Sequence, residues 1–192
     1  MVWVAATRNR HKLQELRRLL PGLELREPPP DADAVEDGAT FLDNARIKAR
    51  AVHAATGLPA LADDSGIEVD ALNCGPGVHS ARFAGPEASD AENLALLLDR
   101  LRGVPDGERG ARYRAVVVLI DGQSEIVAEG VLEGRIADEP RGTGGFGYDP
   151  AFVPEGESRT VGEMAAEEKD AISHRARACR VLWEKVRADR PD

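Results

Sequence analysis

The chain has 192 residues, 34 acidic against 25 basic for a formal net charge of −9, and it is 42% apolar, 31% charged and only 4% aromatic. That length suits one well-buried core and is short for two independent domains, so residues 1–192 read as a single domain, and the acidic balance argues against binding polymeric nucleic acid through its phosphates. Cys74 and Cys179 stand far apart without metal-ligand spacing, which disfavours a disulfide framework or a zinc site, and no apolar run has the length of a signal peptide or a membrane span, so a cytoplasmic protein is expected.

An apolar run at residues 2–6 ends in a polar turn, and Leu13, Leu16 and Leu20 then recur at helical spacing, so the chain opens strand, loop, helix. Residues 23–26 can form a second strand, after which Pro28, Pro29, Pro30 and an acidic stretch exclude regular structure until about Gly38. Residues 40–56 read as a helix that Gly57 and Pro59 end, with Phe41, Ala45, Ala49 and Val52 in one stripe and Asn44 and Lys48 in a neighbouring one. Residues 59–69 resemble a buried strand, yet Asp63, Asp64 and Ser65 interrupt it, and carboxylates inside an apolar element point to a site.

Ser89 and Glu92 form a capping box ahead of Leu94, Leu97, Leu98 and Leu101, which predicts a further helix. Residues 113–120 and 124–136 are β-rich and joined at Asp121-Gly122, a pair that favours a type I′ hairpin turn. After glycine-rich residues 142–147, Thr160 and Glu163 offer a second capping box, and residues 173–188 have the composition of a long final helix. A βα opening together with a hairpin implies a mixed α/β sheet flanked by helices.

Thr7, Arg8, Asn9, Arg10, His11 and Lys12 occupy the first strand-to-helix turn, where backbone N–H groups and the helix dipole favour an anion and Lys12 adds a point charge; the alternative is that Asn9 only caps the helix. Asp63 and Asp64 can bind a hard cation or orient and deprotonate water, or they form an acidic turn. Glu36, in the acidic loop, could complete a cation shell. The run at residues 142–150 places Phe146 and Tyr148 beside flexible glycines, suited either to stacking a base, with Asp149 accepting from base or ribose, or to a tight corner plugged into the core. Lys169, His174 and Arg175 are close enough in sequence to serve one ligand, or else Lys169 lies on a solvated charged face and Ser173 caps the helix with His174 half-buried.

Taken together, Thr7-x-Asn9-x-x-Lys12, Asp63-Asp64-Ser65-Gly66, residues 142–150 and Glu168-Lys169-x-x-x-Ser173-His174-Arg175 resemble the Ham1/inosine triphosphatase family of non-canonical purine nucleotide pyrophosphatases. Pro76-Gly77-Val78-His79-Ser80-Ala81-Arg82 and Thr40-Phe41-x-x-Asn44-Ala45 also resemble its bacterial members, so the likeness spans nearly the whole chain in order. The resemblance implies an α/β fold with two lobes around a deep cleft, a homodimer, and magnesium-dependent (Mg2+) hydrolysis of nucleoside triphosphates such as ITP, dITP and XTP to monophosphate and pyrophosphate. It implies that the turn from Thr7 to Lys12 holds phosphates, with Lys48 nearby. Asp64 would be the catalytic or metal-bound carboxylate, supported by Asp63, while Ser65 contacts substrate. Phe146, Gly147, Tyr148, Asp149, Lys169, His174 and Arg175 would form the nucleotide pocket, with donors such as Arg175 facing a 6-oxo group. Glu36, or Asp33 or Asp37 beside it, would complete the metal site.

Overall fold

The computed structural model of the chain describes residues 1–32 and 34–189. In order, the elements are β1 (Val2–Ala5), α1 (Arg10–Leu19), β2 (Glu24–Arg26), α2 (Phe41–Thr56), β3 (Ala60–Val69), β4 (Gly75–Pro76), α3 (Asp90–Arg100), β5 (Gly110–Asp121), β6 (Ser124–Ile136), β7 (Phe152–Pro154), α4 (Ala166–Ile172) and α5 (His174–Asp189). The sheet runs β2-β1-β3-β5-β6-β7, with β4 paired to β3. It is mixed as expected: β1 lies parallel to β2 and β3, whereas β4 and β7 are antiparallel to β3 and β6.

Local chemistry accounts for most of these elements. The Asn9 side chain accepts from the N–H groups of His11 and Lys12 and so starts α1. Thr40 caps α2, Gly57 at φ 67 ends it, and Phe41, Ala45, Ala49 and Val52 are buried along the stripe that spacing predicts. Both halves of the Ser89–Glu92 box are formed at α3.

Three details differ from expectation. The hairpin between β5 and β6 turns at residues 122–123, with Gly122 at φ 60 and no positive φ at Gln123. That is the type II′ pattern, with glycine first, because a type I′ turn needs both central residues in the left-handed region. The Thr160–Glu163 box caps a single 3-10 turn, Val161–Glu163. Ser173, extended at φ −61 and ψ 155, separates α4 from α5, so Lys169 and Arg175 fall on different helices.

The chain divides into two compact units. The first takes in Met1–Asp64, Ala115–Gly130 and the segment that begins at His174; its core includes Trp3, Leu16, Leu61, Val117, Leu119 and Leu182. The second takes in Ser65–Arg114 and Val131–Ser173, around Ile67, Leu97, Leu101, Ile136 and Phe152. Within the first unit β6 runs so close to α5 that a Cβ on Gly130 would collide with the His174 carbonyl and the Ala178 amide. That contact seats the start of α5, and with it Arg175.

No helix of the described residues is long and apolar enough to cross a membrane. Cys74 is exposed, whereas Cys179 lies in the first core, where burial pushes its thiol up to about 12. The thiolate is the reactive form. A chromogenic disulfide reagent is therefore expected to titrate Cys74 alone in the native protein and both thiols after denaturation; fast native reaction of Cys179 would contradict the packing around α5.

Candidate active site

The first unit gathers charge around the middle of β3. Asp63 is fully buried and Asp64 nearly so, and as neighbours on a strand they face opposite sides. The Asp63 carboxylate receives Lys12 Nζ at 3.0 Å and Arg175 Nη2 and Nε at 3.0 and 3.3 Å. Arg175, itself buried, also donates to Glu15, a buried carboxylate one helical turn after Lys12 on α1. Burial alone would raise the Asp63 pKa, but Arg175 and Lys12 outweigh it and hold this carboxyl far below the usual range.

Asp64 is driven the other way. Burial raises its pKa, Asp63 beside it adds to the rise, and the opposing pull of Lys48 and Lys12 is smaller. Lys48 Nζ donates to Asp64 Oδ1 at 2.8 Å, to the Asp63 carbonyl at 3.0 Å and to Glu36 Oε2 at 3.0 Å. Asn44, one turn earlier on α2, donates to the other Asp64 oxygen at 3.4 Å and accepts from Gly38 N at 2.9 Å, which ties the acidic loop to the site. Burial works against the charge on Lys48, but Asp64 and Glu36 raise its pKa above the ordinary value. For Lys12 burial wins, helped by Lys48 and Arg175, and its pKa is lowered. Adjacent carboxyls whose environments drive them apart are suited to different tasks. Arg175 and Lys12 favour the charge on Asp63, whereas burial works against the charge on Asp64.

The turn expected to hold phosphates is less uniform than its sequence. Arg8 donates to the Pro29 and Pro30 carbonyls at 3.3 and 2.6 Å and so braces the proline-rich loop, while Thr7 Oγ1 accepts from Asn9 N at 3.2 Å. Arg10 and His11 stand exposed on the first turn of α1.

In the second unit, Asp149 Oδ2 accepts from Lys169 Nζ at 2.6 Å and from Phe146 N at 2.8 Å, and Oδ1 accepts from the Tyr113 hydroxyl at 3.1 Å. Lys169 Nζ lies 4.5 Å from the centre of the Phe146 ring. Gly145, at φ 71, is required here, because a Cβ would strike the Asp149 carboxylate. Tyr148 is buried and donates to the Ser80 carbonyl at 2.7 Å, whereas Phe146 and Gly147 are only half-buried. Ser65 opens the second unit half-buried, and His174 is buried at the start of α5 in the first.

A family model described as the Ham1 family matches residues 3–185. The chain belongs to the Ham1 family. This Ham1 chain is 54% identical over 190 residues to the dITP/XTP pyrophosphatase of Symbiobacterium thermophilum, covering 96% of this chain and 94% of that protein. It is 49% identical over 193 residues to the dITP/XTP pyrophosphatase of Mycobacterium tuberculosis (strain ATCC 25618 / H37Rv), covering 96% and 95%. It superimposes on the structure of a HAM1 protein from Coxiella burnetii with a TM-score of 0.87 at 41% identity, covering 98% of this chain and 99% of that one. The mixed α/β architecture is that of solved Ham1 proteins.

Glu15 and Tyr113 are not singled out from sequence, and Asn44, placed beside Lys48 and in a family-like motif, is given no site role there. Asn44 had a usable signal, a polar side chain between buried Phe41 and Ala45 and one turn from Lys48. Arg175, expected with the base, has its guanidinium on Asp63 and Glu15 in the first unit, while Lys169 belongs to the second.

The described residues contain no cluster of three or more His, Cys, Asp or Glu arranged for a metal ion. Magnesium in phosphate-processing sites needs only one or two carboxylates, because water and substrate phosphates complete its shell. Glu36 and Asp64, both within hydrogen-bond reach of Lys48 Nζ, provide such a pair of hard oxygen donors. Asp37 is exposed in the same loop, and Asp33 lies outside the described residues.

Proposed function

We propose that this Ham1 protein hydrolyses non-canonical purine nucleoside triphosphates, those of inosine, deoxyinosine and xanthosine, to the monophosphate and pyrophosphate, so clearing them from the pool before they enter DNA or RNA. The observation that carries this reading is Asp64, an acid with a raised pKa held between Lys48, Asn44 and the Glu36 loop. The dITP/XTP pyrophosphatases at 49% and 54% identity support the substrate class.

In this mechanism Asp64 and Glu36 would hold magnesium, which when bound would neutralise phosphate charge and polarise a phosphoryl oxygen. Asp64 orients the attacking water and takes up its proton. Attack on the α-phosphorus breaks the bond to the bridging oxygen, and pyrophosphate leaves. Lys12 and Lys48 stabilise the charge that develops, with Lys12 held in place by Asp63. Thr7, Asn9, Arg10 and His11 receive the phosphate end at the start of α1, and Arg8 keeps the neighbouring loop in position.

The base is assigned to the second unit. Phe146 offers a ring face for stacking, and Lys169, a donor without acceptor capacity, rewards the 6-oxo group of hypoxanthine and xanthine over the amino group of adenine. Gly147, Tyr148 and Asp149 shape that platform, and Ser65 and His174 are assigned as further substrate contacts. Arg175 is assigned to bracing Asp63. Residues 1–192 work as one catalytic domain, as a homodimer in the cytoplasm.

The test is to incubate the protein with Mg2+ and a panel of inosine, deoxyinosine, xanthosine, guanosine, adenosine and modified pyrimidine triphosphates, measuring pyrophosphate and orthophosphate separately. Preferential pyrophosphate release from the inosine and xanthosine substrates is expected. Orthophosphate alone would reject attack at the α-phosphorus, and preference for another base would change the substrate while keeping the chemistry.

A further inference from the structure

We propose that Tyr113 is a positioning residue for base recognition, its hydroxyl acting through Asp149 to set both the Lys169 ammonium and the Phe146 ring. This deepens the reading above and rests on it.

Tyr113 lies on β5, 8% exposed, with its ring packed against Phe152 at a centroid distance of 4.7 Å and a tilt of 52°. A phenylalanine would fill that space equally well, so the buried hydroxyl requires a separate reason. Its partner is Asp149 Oδ1, at 3.1 Å, on a carboxylate that is itself 2% exposed. A carboxylate is planar, so fixing one oxygen fixes the other. The other oxygen is where Lys169 Nζ and Phe146 N meet, at 2.6 and 2.8 Å.

Lys169 has a long, rotatable stem, and both its ammonium and the Phe146 backbone N–H meet the same Asp149 oxygen. Asp149 gives them a common reference point, and Tyr113 holds that point against the core of the second unit. Without the hydroxyl the carboxylate loses its anchor at Oδ1, so that its orientation, and with it that of ammonium and ring, is less closely defined. Small losses of orientation at a recognition group are expressed as lost affinity for the group recognised.

The experiment compares wild type with Tyr113→Phe on deoxyinosine and xanthosine triphosphates with Mg2+. The KM of the variant is expected to rise on the order of tenfold, the scale of one hydrogen bond to a charged group. Its kcat should stay within about twofold, because the residues assigned to the phosphate chemistry belong to the other unit. In an Asp149→Asn background the same substitution should change KM by less than about twofold, since its route would already be cut.

An unchanged KM in active Tyr113→Phe overturns the proposal, as does a tenfold rise that persists in the Asp149→Asn background. Loss of cooperative melting in Tyr113→Phe would place the hydroxyl in holding the fold and also overturns it. A wild-type protein that releases pyrophosphate from no triphosphate overturns the proposed function itself, an outcome distinct from these.

Discussion

Replacing Asp64 by Asn is expected to lower kcat for deoxyinosine triphosphate on the order of a thousandfold, within the range that a general acid–base group contributes. The amide preserves shape and its oxygen can still accept from Lys48, although its NH2 then faces the Asn44 donor, and nucleotide binding measured by calorimetry should remain detectable. What it cannot do is accept a proton from water or bind a hard cation with a full negative charge. The same substitution should change the melting temperature little. A carboxyl whose pKa is raised in the folded protein binds its proton more tightly there than in the unfolded chain, so its ionised form costs stability at neutral pH. The neutral amide removes that cost but also takes from Lys48 the negative partner that favours its charge, and the two effects oppose each other. A fall in turnover without a fall in stability would mark Asp64 as a group kept for chemistry at some expense to folding. A variant that retained most of its turnover would remove Asp64 from the mechanism.

Sequence reading succeeded where the governing interactions are local. The Asn9 cap, the Thr40-to-Gly57 helix, the Ser89–Glu92 box and the acidic interruption of β3 all depend on residues within one or two turns of each other. It also separated Asp63 and Asp64 from an ordinary strand, because carboxylates do not enter apolar elements without partners. The identity of those partners was not legible. Arg175 meets Asp63 across 112 residues of sequence and Glu15 across 160. Periodicity places Glu15 on a helix, but only tertiary packing reveals that this face meets the start of α5.

The same limit applies to the aromatic pair in the glycine-rich loop. Phe146 and Tyr148 are two residues apart and alike in composition, yet one is half-buried over Lys169 and the other is buried against Ser80. The stacking reading and the plugged-corner reading were framed as alternatives for the loop as a whole. Tyr148 plugs the corner, whereas Phe146, half-buried beside Lys169, is the ring proposed for stacking. Ser173 explains the remaining mismatch: one extended residue between two helical stretches puts Lys169 and Arg175 on separate helices, a break that composition does not announce.

Arg175→Met is the second substitution with a large expected effect, and it separates two roles for this side chain. The guanidinium is 1% exposed and lies between the Asp63 and Glu15 carboxylates. Methionine fills much of the volume but leaves two buried acids facing each other with Lys12 as a neighbouring cation. Breaking a buried ion network from one side costs about 3–5 kcal/mol, because a charge is left uncompensated. For a chain of this size that corresponds to a fall in melting temperature of about 10 °C. Adding Glu15→Gln should recover part of the loss, since it neutralises one orphaned carboxylate, and such coupling is expected only of groups that share a network. If Arg175 instead recognised the base directly, Arg175→Met would change the ranking of inosine, guanosine and adenosine triphosphates while stability changed little. Bracing predicts the reverse: lost stability and lower kcat, because Asp63 no longer holds Lys12 in register, with the order of bases preserved. Thermal melts and a base panel on the same preparation decide between them.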